Sequence, residues 1–380
     1  MSHRSSGGND IIAPRRGLPG MRRKLAGRSP LTVAFLGGSI TEGAGASEPE
    51  TSSWRALTGL YLQSVYEGRQ LRCINAGVGG TDSSFGAHRL AEHVFHAGSP
   101  DLLFVEFSVN DGGDREESVR GMEGIVRQCR RLNPLMDLIF IYTAADKNLT
   151  GRKPFNIAVH EEVAGYYGIP SVDCAAGVYD MIQAGGLDWK QCAPDGYHPL
   201  DEGHALYAAF VRRYLEQALL EGNSPSGMAA DNLLLPPVPL VHCNYEYGEM
   251  LDCSIASYSP DFCISELPSG EPLINWRFST VHAWTDDPAA GFSFEVTGQC
   301  AGLVLLCGPD TGIFEYSLNG GAFTEVNLFD EWCPGAYRPV PFMFPVQAAR
   351  AVVSITIRNT DRRDSRSTGT GLRVLKLLHS

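Results

Sequence analysis

Between residues 31 and 220, short apolar runs alternate with longer segments of helical periodicity. Apolar, β-branched runs of roughly four to eight residues are typical of buried strands, whereas helices are longer and apolar at every third or fourth position. The predicted strands are residues 31–36, 71–75, 101–107, 137–142 and 169–173. The predicted helices are residues 51–66, 85–97, 115–132, 154–167 and 201–220. This alternation predicts an α/β domain whose parallel sheet is covered by helices on both faces.

The pattern changes after residue 220. Residues 221–240 are rich in Pro, Gly and Ser, which predicts a linker. Short alternating runs follow at residues 292–296, 303–306, 313–317 and 352–357. Turn signals separate them, including the Asn-Gly-Gly hairpin signal at 319–321. We expect a basic arm at 1–30, an α/β domain at 31–220, the linker, and a jelly-roll-like β-sandwich at 241–380.

Composition and charge argue against several classes of function. The net charge is −12, although residues 1–30 hold seven Lys or Arg and one Asp. Without a basic surface, the chain is not expected to bind nucleic acid, because neutralising phosphates requires clustered Lys and Arg. No apolar run approaches the ~20 residues of a membrane span. The basic arm lacks the apolar stretch of a secretion signal, so we expect a cytoplasmic protein that does not bind membranes.

The ten cysteines contain no Cys-x-x-Cys pair and match no familiar zinc spacing. In a cytoplasmic protein they are expected to be reduced thiols, since free Cys behaves as a small buried apolar residue. The sequence therefore predicts neither a metal site nor a cofactor.

Polar residues at two positions suggest nucleophilic catalysis. Ser39 lies in the sequence Gly-Gly-Ser-Ile-Thr directly after the first strand, at the sheet edge where open α/β folds bind ligands. Asp195 precedes His198 by three residues, which lets a carboxylate face imidazole Nδ1 and leaves Nε2 free for a serine. Taken alone, His198 is equally well explained as a capping or packing residue.

Two further strand ends offer donors for an oxyanion. Residues 75–81 read Asn-Ala-Gly-Val-Gly-Gly-Thr, and glycine amides allow close approach of a ligand. Residues 108–111 read Ser-Val-Asn-Asp, in which Asn110 offers a side-chain N–H. Alone, the glycine run is more often a turn and the Asn-Asp pair a helix start. Together, the four segments predict an acyl-transfer site.

The order of these motifs resembles the SGNH hydrolase family, the GDSL-type esterases and lipases. The resemblance implies that Ser39 is the nucleophile and that Asp195 and His198 complete a catalytic triad. It also implies an oxyanion hole formed by the backbone N–H groups of Ser39 and Gly80 and by Asn110. The implied fold is a flavodoxin-like three-layer sandwich with five parallel strands.

Residues near these motifs bear on the substrate. Ser108 stands where the family's Gly-x-Asn-Asp block has glycine, and we expect its side chain to narrow the acyl pocket toward small groups. Trp54, Trp189 and Tyr197 are candidates for stacking on a sugar ring. Their alternative role is core packing, because large aromatic side chains are usually buried.

The predicted β-sandwich resembles modules found beside SGNH domains in carbohydrate esterases. We therefore expect a serine esterase that removes short acyl groups from a glycan or small-molecule ester, and specifically an O-acetyl esterase acting on a carbohydrate. Two alternatives stay open: a general short-chain esterase or thioesterase, and a glycan-binding protein whose hydrolase site has decayed. An edge strand of the sandwich offers a surface for homo-oligomer formation.

Overall fold

A computed structural model describes residues 11–27, 29–66, 70–96, 98–219, 238–274 and 277–380 of the 380-residue chain. The chain divides into two compact units, Met1–Glu246 and Tyr247–Ser380. Most of the predicted linker, residues 221–237, lies outside the described residues. Each unit has its own sheets and core.

The first unit is built on five parallel strands. They are β2 (Leu31–Gly37), β3 (Leu71–Gly77), β4 (Leu102–Glu106), β5 (Asp137–Tyr142) and β6 (Ser171–Asp173). Their spatial order is β3-β2-β4-β5-β6, which is the order of flavodoxin-like sheets. The predicted fold class is therefore confirmed. The strand order reverses between β2 and β4, where such folds form a ligand crevice.

A sixth strand extends this sheet. Residues Ile12–Ala13 form β1, which pairs antiparallel with β6 through Ile12 and Val172. A helix, α1 (Pro19–Gly27), follows, and Met21 donates its backbone N–H to the buried Asp137 Oδ2 at 2.8 Å. The described part of the basic arm is thus packed into the first unit.

The remaining helices connect the strands. They are α2 (Ser39–Glu42), α3 (Pro49–Ser52), α4 (Trp54–Val65), α5 (Ser83–Leu90), α6 (Arg115–Leu132), α7 (Phe155–Tyr167), α8 (Cys174–Gln183), α9 (Trp189–Cys192) and α10 (Asp201–Leu219). A π-helical turn at Ala91–Phe95 and a 3₁₀ turn at Asp146–Asn148 complete the set. The five predicted helices correspond to α4 to α7 and α10. Among the described helices, none combines the length and apolar character needed to cross a bilayer.

The second unit is a sandwich of two antiparallel sheets. One sheet contains β7 (Glu249–Asp252), β9 (Cys263–Ser265), β10 (His282–Thr285), β12 (Ala301–Cys307), β15 (Arg338–Met343) and β17 (Leu372–His379). The other contains β8 (Ser257–Tyr258), β11 (Gly291–Gly298), β13 (Gly312–Leu318), β14 (Thr324–Val326) and β16 (Ala351–Arg363). Alternate side chains of both sheets, such as Phe294 and Leu303, form one buried core. The predicted β-sandwich is confirmed.

Candidate active site

Ser39 lies at the start of the short helix α2, two residues beyond the end of β2. The residue before it, Gly38, is extended, with φ −84° and ψ −153°. A Cβ at position 38 would lie 2.3 Å from Asn110 Oδ1. Glycine at this position therefore allows the Asn110 side chain to lie against the backbone that carries Ser39.

His198 contacts both of the residues with which it was grouped from the sequence. Its Nε2 lies 2.8 Å from Ser39 Oγ, and its Nδ1 lies 2.7 Å from Asp195 Oδ2. A carboxylate can only accept, so Nδ1 carries the proton and Nε2 accepts from the serine hydroxyl. The imidazole thus has the tautomer that a general base requires.

The loop between α9 and α10 holds the Asp195 carboxylate in place. Its Oδ1 accepts the backbone N–H groups of Tyr197 at 3.0 Å and of His198 at 2.8 Å. Desolvation alone would raise the pKa of Asp195, but these two N–H groups and the imidazole of His198 outweigh it, and the pKa lies below its usual value. Asp195 is therefore an anion over the pH range in which an imidazole acts as a base.

The two loops expected to donate to an oxyanion flank β2, because β2 pairs with β3 on one side and with β4 on the other. Asn110 follows β4 and lies beside Gly38. Gly80 follows β3 and adopts a positive φ of 71°, a conformation that glycine adopts without strain. The role of both residues as oxyanion donors stays a prediction.

Buried and polar contacts join the Ser39 loop to the Gly80 loop. Glu42, the last residue of α2, accepts the Gly79 N–H at 2.9 Å. Beneath them the fully buried Arg89 donates to the carbonyl oxygens of Gly37 at 2.8 Å and of Ala76 at 2.5 Å. These bonds fix the ends of β2 and β3 relative to each other.

The arrangement supplies a hydroxyl nucleophile, a base within hydrogen-bond reach and a carboxylate that orients the base. Such a set performs acyl transfer without an inorganic cofactor. Within the described residues, no group of three or more His, Cys, Asp or Glu side chains is arranged to hold a metal ion.

Comparison with known proteins gives a family match within this unit. Residues 35–206 match the model of the GDSL-like Lipase/Acylhydrolase family, a range that includes Ser39, Asp195 and His198. The match covers most of the α/β domain. The chain is accordingly a carboxylic ester hydrolase, and the resemblance detected from four short motifs is confirmed.

Solved structures extend the likeness to both domains. A two-domain esterase active on acetylated mannans, solved alone and co-crystallized with mannopentaose, aligns with a TM-score of 0.82 and 22% identity, over 97% of this chain and 96% of that chain. Axe2, an acetylxylan esterase from Geobacillus stearothermophilus, covers 49% of this chain and 94% of its own, with 21% identity and a TM-score of 0.40. The comparison with curated proteins gave no match. The first likeness shows that the GDSL-like domain and the β-sandwich share their folds with that esterase.

Two of the aromatic residues proposed for sugar stacking lie at the catalytic loop of the GDSL-like domain. The half-buried ring of Tyr197 lies 4.4 Å from the imidazole of His198, measured between centroids. Trp189 is buried, and its Nε1 donates to the Gly196 carbonyl at 3.4 Å. Trp189 therefore supports the loop, and Tyr197 is the better candidate for contact with a substrate.

Two other substrate-site predictions are corrected. Trp54 is 0% exposed and packs edge-on against Phe35 and Phe104, so its ring belongs to the core. Ser108 is also fully buried, and its Oγ accepts the Thr143 N–H at 3.1 Å. Its side chain is thus engaged with the neighbouring strand end, and the expectation that it narrows an acyl pocket loses its basis.

The sequence reasoning missed three charged residues near the site: Glu42, Arg89 and Glu106. Glu106 was the most detectable, because it is the one charged residue within the otherwise apolar strand β4. A charge in a strand buried on both faces requires polar partners, and here they lie at the sheet edge that carries Ser39. Arg89 gave no comparable signal, since its helix α5 is only weakly apolar.

Proposed function

We propose that this protein is an O-acetyl esterase acting on a carbohydrate, with Ser39 as nucleophile, His198 as base and Asp195 as its orienting acid. The observation that carries the proposal is the continuous hydrogen-bond chain from Ser39 Oγ through both imidazole nitrogens to Asp195. Ser39 lies 159 positions from His198 in the sequence, and the Asp195–His198 loop nevertheless reaches it, which makes an incidental packing role for His198 a poor explanation.

Catalysis proceeds by two acyl transfers. Ser39 Oγ attacks the ester carbon while its proton passes to His198 Nε2. The resulting oxyanion accepts hydrogen bonds from the N–H groups of Ser39 and Gly80 and from the Asn110 amide. The imidazolium then protonates the departing sugar hydroxyl as the C–O bond breaks, leaving acetyl-Ser39. Water, deprotonated by Nε2, attacks this ester and releases acetate.

Two observations support the substrate class. The esterase with the same two-domain fold acts on acetylated mannans, and its likeness extends over both domains of this chain. In addition, the ring of Tyr197 lies beside His198 and is not fully covered, so it offers a face on which a sugar ring can stack. Acetylated mannan is therefore the first polysaccharide to test.

The test compares chain length with sugar content. Initial rates are measured on p-nitrophenyl esters from acetate to decanoate, and acetate release is measured from acetylated mannan, xylose and cellobiose. We expect turnover of the acetyl ester, a steep loss with longer chains, and acetate release from at least one acetylated sugar. Rates that rise with chain length while the sugars stay intact would instead establish a general esterase.

A paired variant tests the role of Tyr197. Tyr197→Phe retains the ring, whereas Tyr197→Ala removes it. If a sugar ring stacks on Tyr197, the alanine variant should raise KM for the acetylated glycan several-fold, because one stacking contact with an aromatic ring contributes about 1 kcal/mol. KM for p-nitrophenyl acetate, which has no sugar, should change little. An equal rise for both substrates would exclude sugar stacking as the role of the ring.

A further inference from the structure

Glu106 is a buried carboxylate close to the proposed catalytic residues but outside the triad. It is the last residue of β4 and is only 1% exposed. The residues before it, 102–105, are all apolar and buried. A carboxylate in such surroundings is costly unless hydrogen-bond donors surround it, so its partners indicate what it does.

The hydroxyl partners of Glu106 come from two different segments. Its Oε2 accepts the hydroxyl of Thr41, which lies in the nucleophile helix α2, at 2.9 Å. Its Oε1 accepts the hydroxyl of Thr143, directly after β5, at 2.8 Å. The nearby backbone N–H of Gly38, the residue preceding Ser39, acts with these hydroxyls to lower the pKa of the carboxylate. Glu106 therefore holds the nucleophile helix through Thr41.

A second bond continues from Thr143 to the Asn110 loop. The Thr143 backbone N–H donates to Ser108 Oγ at 3.1 Å, and Ser108 lies two residues before Asn110. Serine at a position where the related motif has glycine thus has a structural explanation. Its hydroxyl joins the Asn110 loop to Thr143, and Thr143 joins Glu106.

We propose that Glu106 is a positioning residue that sets the Ser39 loop against the Asn110 loop through Thr41, Thr143 and the Thr143–Ser108 bond. The proposal rests on the catalytic roles given above to Ser39 and Asn110. Glu106 does not exchange protons with the substrate, because its carboxylate is enclosed beneath the loops and accepts from the Thr41 and Thr143 hydroxyls.

The carboxylate suits this task better than a neutral side chain. Desolvation raises the pKa of Glu106, while the donors from Thr143, Thr41 and Gly38 act in the opposite direction. With two oxygens it accepts both hydroxyl donors at once. A glutamine has only one oxygen, so one of the two threonine hydroxyls would lose its acceptor.

The test uses two buried carboxylates of the same sheet. Glu106→Gln removes the one at the carboxyl end of β4, and Asp137→Asn removes a similarly buried one at the amino end of β5. We expect Glu106→Gln to lower kcat for p-nitrophenyl acetate roughly 10²-fold with KM nearly unchanged, because small displacements of catalytic groups have effects of this size. Asp137→Asn should retain wild-type kcat. Equal effects of the two variants on kcat would overturn the proposal.

A transition-state mimic separates positioning from general loss of stability. Methylboronic acid adds to an activated serine and places an oxygen anion where the oxyanion forms. Glu106→Gln should weaken its inhibition in proportion to the loss of kcat/KM, while product inhibition by acetate stays within about two-fold. A loss of thermal stability with unchanged boronate inhibition would reduce Glu106 to a structural role.

Thr143 provides a second route should Glu106→Gln fold poorly. Thr143→Val removes the hydroxyl that Glu106 accepts, and Thr143→Ser retains it. The valine variant should lose kcat with little change in KM, and the serine variant should recover most of it. Loss in neither variant would contradict the proposal.

Ser39→Ala, measured in parallel, separates a failure of the proposed triad from a failure of the role proposed for Glu106. Full turnover by Ser39→Ala would refute the triad, and Glu106 would then have no nucleophile to position. Loss of turnover in Ser39→Ala, together with identical behaviour of Glu106→Gln and Asp137→Asn, would refute only the role of Glu106.

Discussion

The two ends of the parallel sheet use their polar side chains in different ways. At the carboxyl ends, Ser39 and Asn110 lie on neighbouring loops, and His198 reaches Ser39 from a distant loop. At the amino ends, carboxylates accept backbone N–H groups from adjacent segments. Asp101 accepts from Thr32 at 2.9 Å, and Asp137 accepts from Met21 at 2.8 Å.

The comparison suggests a rule for this sheet: the end at which a polar side chain lies indicates whether it serves activity or stability. In a parallel sheet all carboxyl ends meet at one edge, so loops from several strands can bring side chains to a common point. The carboxylates at the amino end instead connect helix α1 and the strand starts to one another. Substitutions at the first end should therefore change activity, and substitutions at the second should change stability.

The largest effect is expected for Ser39→Ala. Removing the nucleophile should lower kcat for p-nitrophenyl acetate by roughly 10⁵-fold or more, since loss of a triad serine has effects of this order. The melting temperature should change little, because Ser39 Oγ contributes one partly exposed hydrogen bond. Ser64→Ala, at an exposed helix position, is the control. Substantial residual turnover in Ser39→Ala would mean that the nucleophile lies elsewhere.

Asp195→Asn should have the next largest effect. An asparagine can present its NH₂ group to Nδ1, which favours the tautomer that cannot accept the serine proton, and a loss of about 10⁴-fold in kcat is expected. Circular dichroism and the melting temperature serve as folding controls. If kcat falls less than ten-fold, His198 is oriented by something other than this carboxylate.

Asn110→Ala tests whether side chains at the carboxyl ends of the strands differ among themselves in their effect on activity. Loss of one preorganised oxyanion donor should lower kcat about 10²- to 10³-fold while KM for p-nitrophenyl acetate stays similar. The matched control is Asn156→Ala. Asn156 Nδ2 donates to the Asp111 and Ser108 carbonyls on either side of Asn110, so it supports this loop through its backbone. Equal losses in both variants would show that Asn110 acts only through the shape of its loop.

The smallest effect on activity, and a distinct effect on stability, is expected for Asp137→Asn. Desolvation raises the pKa of Asp137 from 3.8 to about 6, so the folded state binds more protons than the unfolded state in that window. Stability from this group is therefore present at low pH and lost as the pH rises through about 6, by an amount on the order of 2 kcal/mol.

Urea unfolding of the wild type and Asp137→Asn at about pH 4.5 and 7.5 measures this effect. The free energy of unfolding should decline more with rising pH in the wild type than in the variant. Parallel changes in both proteins would show that Asp137 does not titrate in this range. Esterase activity near pH 7.5 should remain at the wild-type level, in contrast to the three variants above.

Much of the architecture was predictable because it depends on local pattern. The five parallel strands begin within two residues of the predicted starts, since apolar runs of strand length must be buried wherever they occur. The short strand β1 was not predictable. Its two residues have no periodicity, and only pairing with β6 makes them a strand.

The site shows the same division. The sequence was sufficient to group Ser39 with His198 and Asp195, because the Asp-x-x-His spacing and the position after a strand are local features. The misassigned residues were Trp54 and Ser108, whose side-chain directions depend on the tertiary structure. Trp54 packs against Phe35 and Phe104, and Ser108 bonds to a residue 35 positions later.

By itself, then, the sequence determined the order of elements, the two kinds of domain and the residues proposed for ester hydrolysis. The tertiary structure decided which of these residues are accessible, and it alone revealed the enclosed carboxylate of Glu106 with its donors from two segments. The physical reason is that strand formation and turn geometry depend on neighbouring residues, whereas burial and hydrogen-bond partners depend on strand order and register, which bring distant segments together.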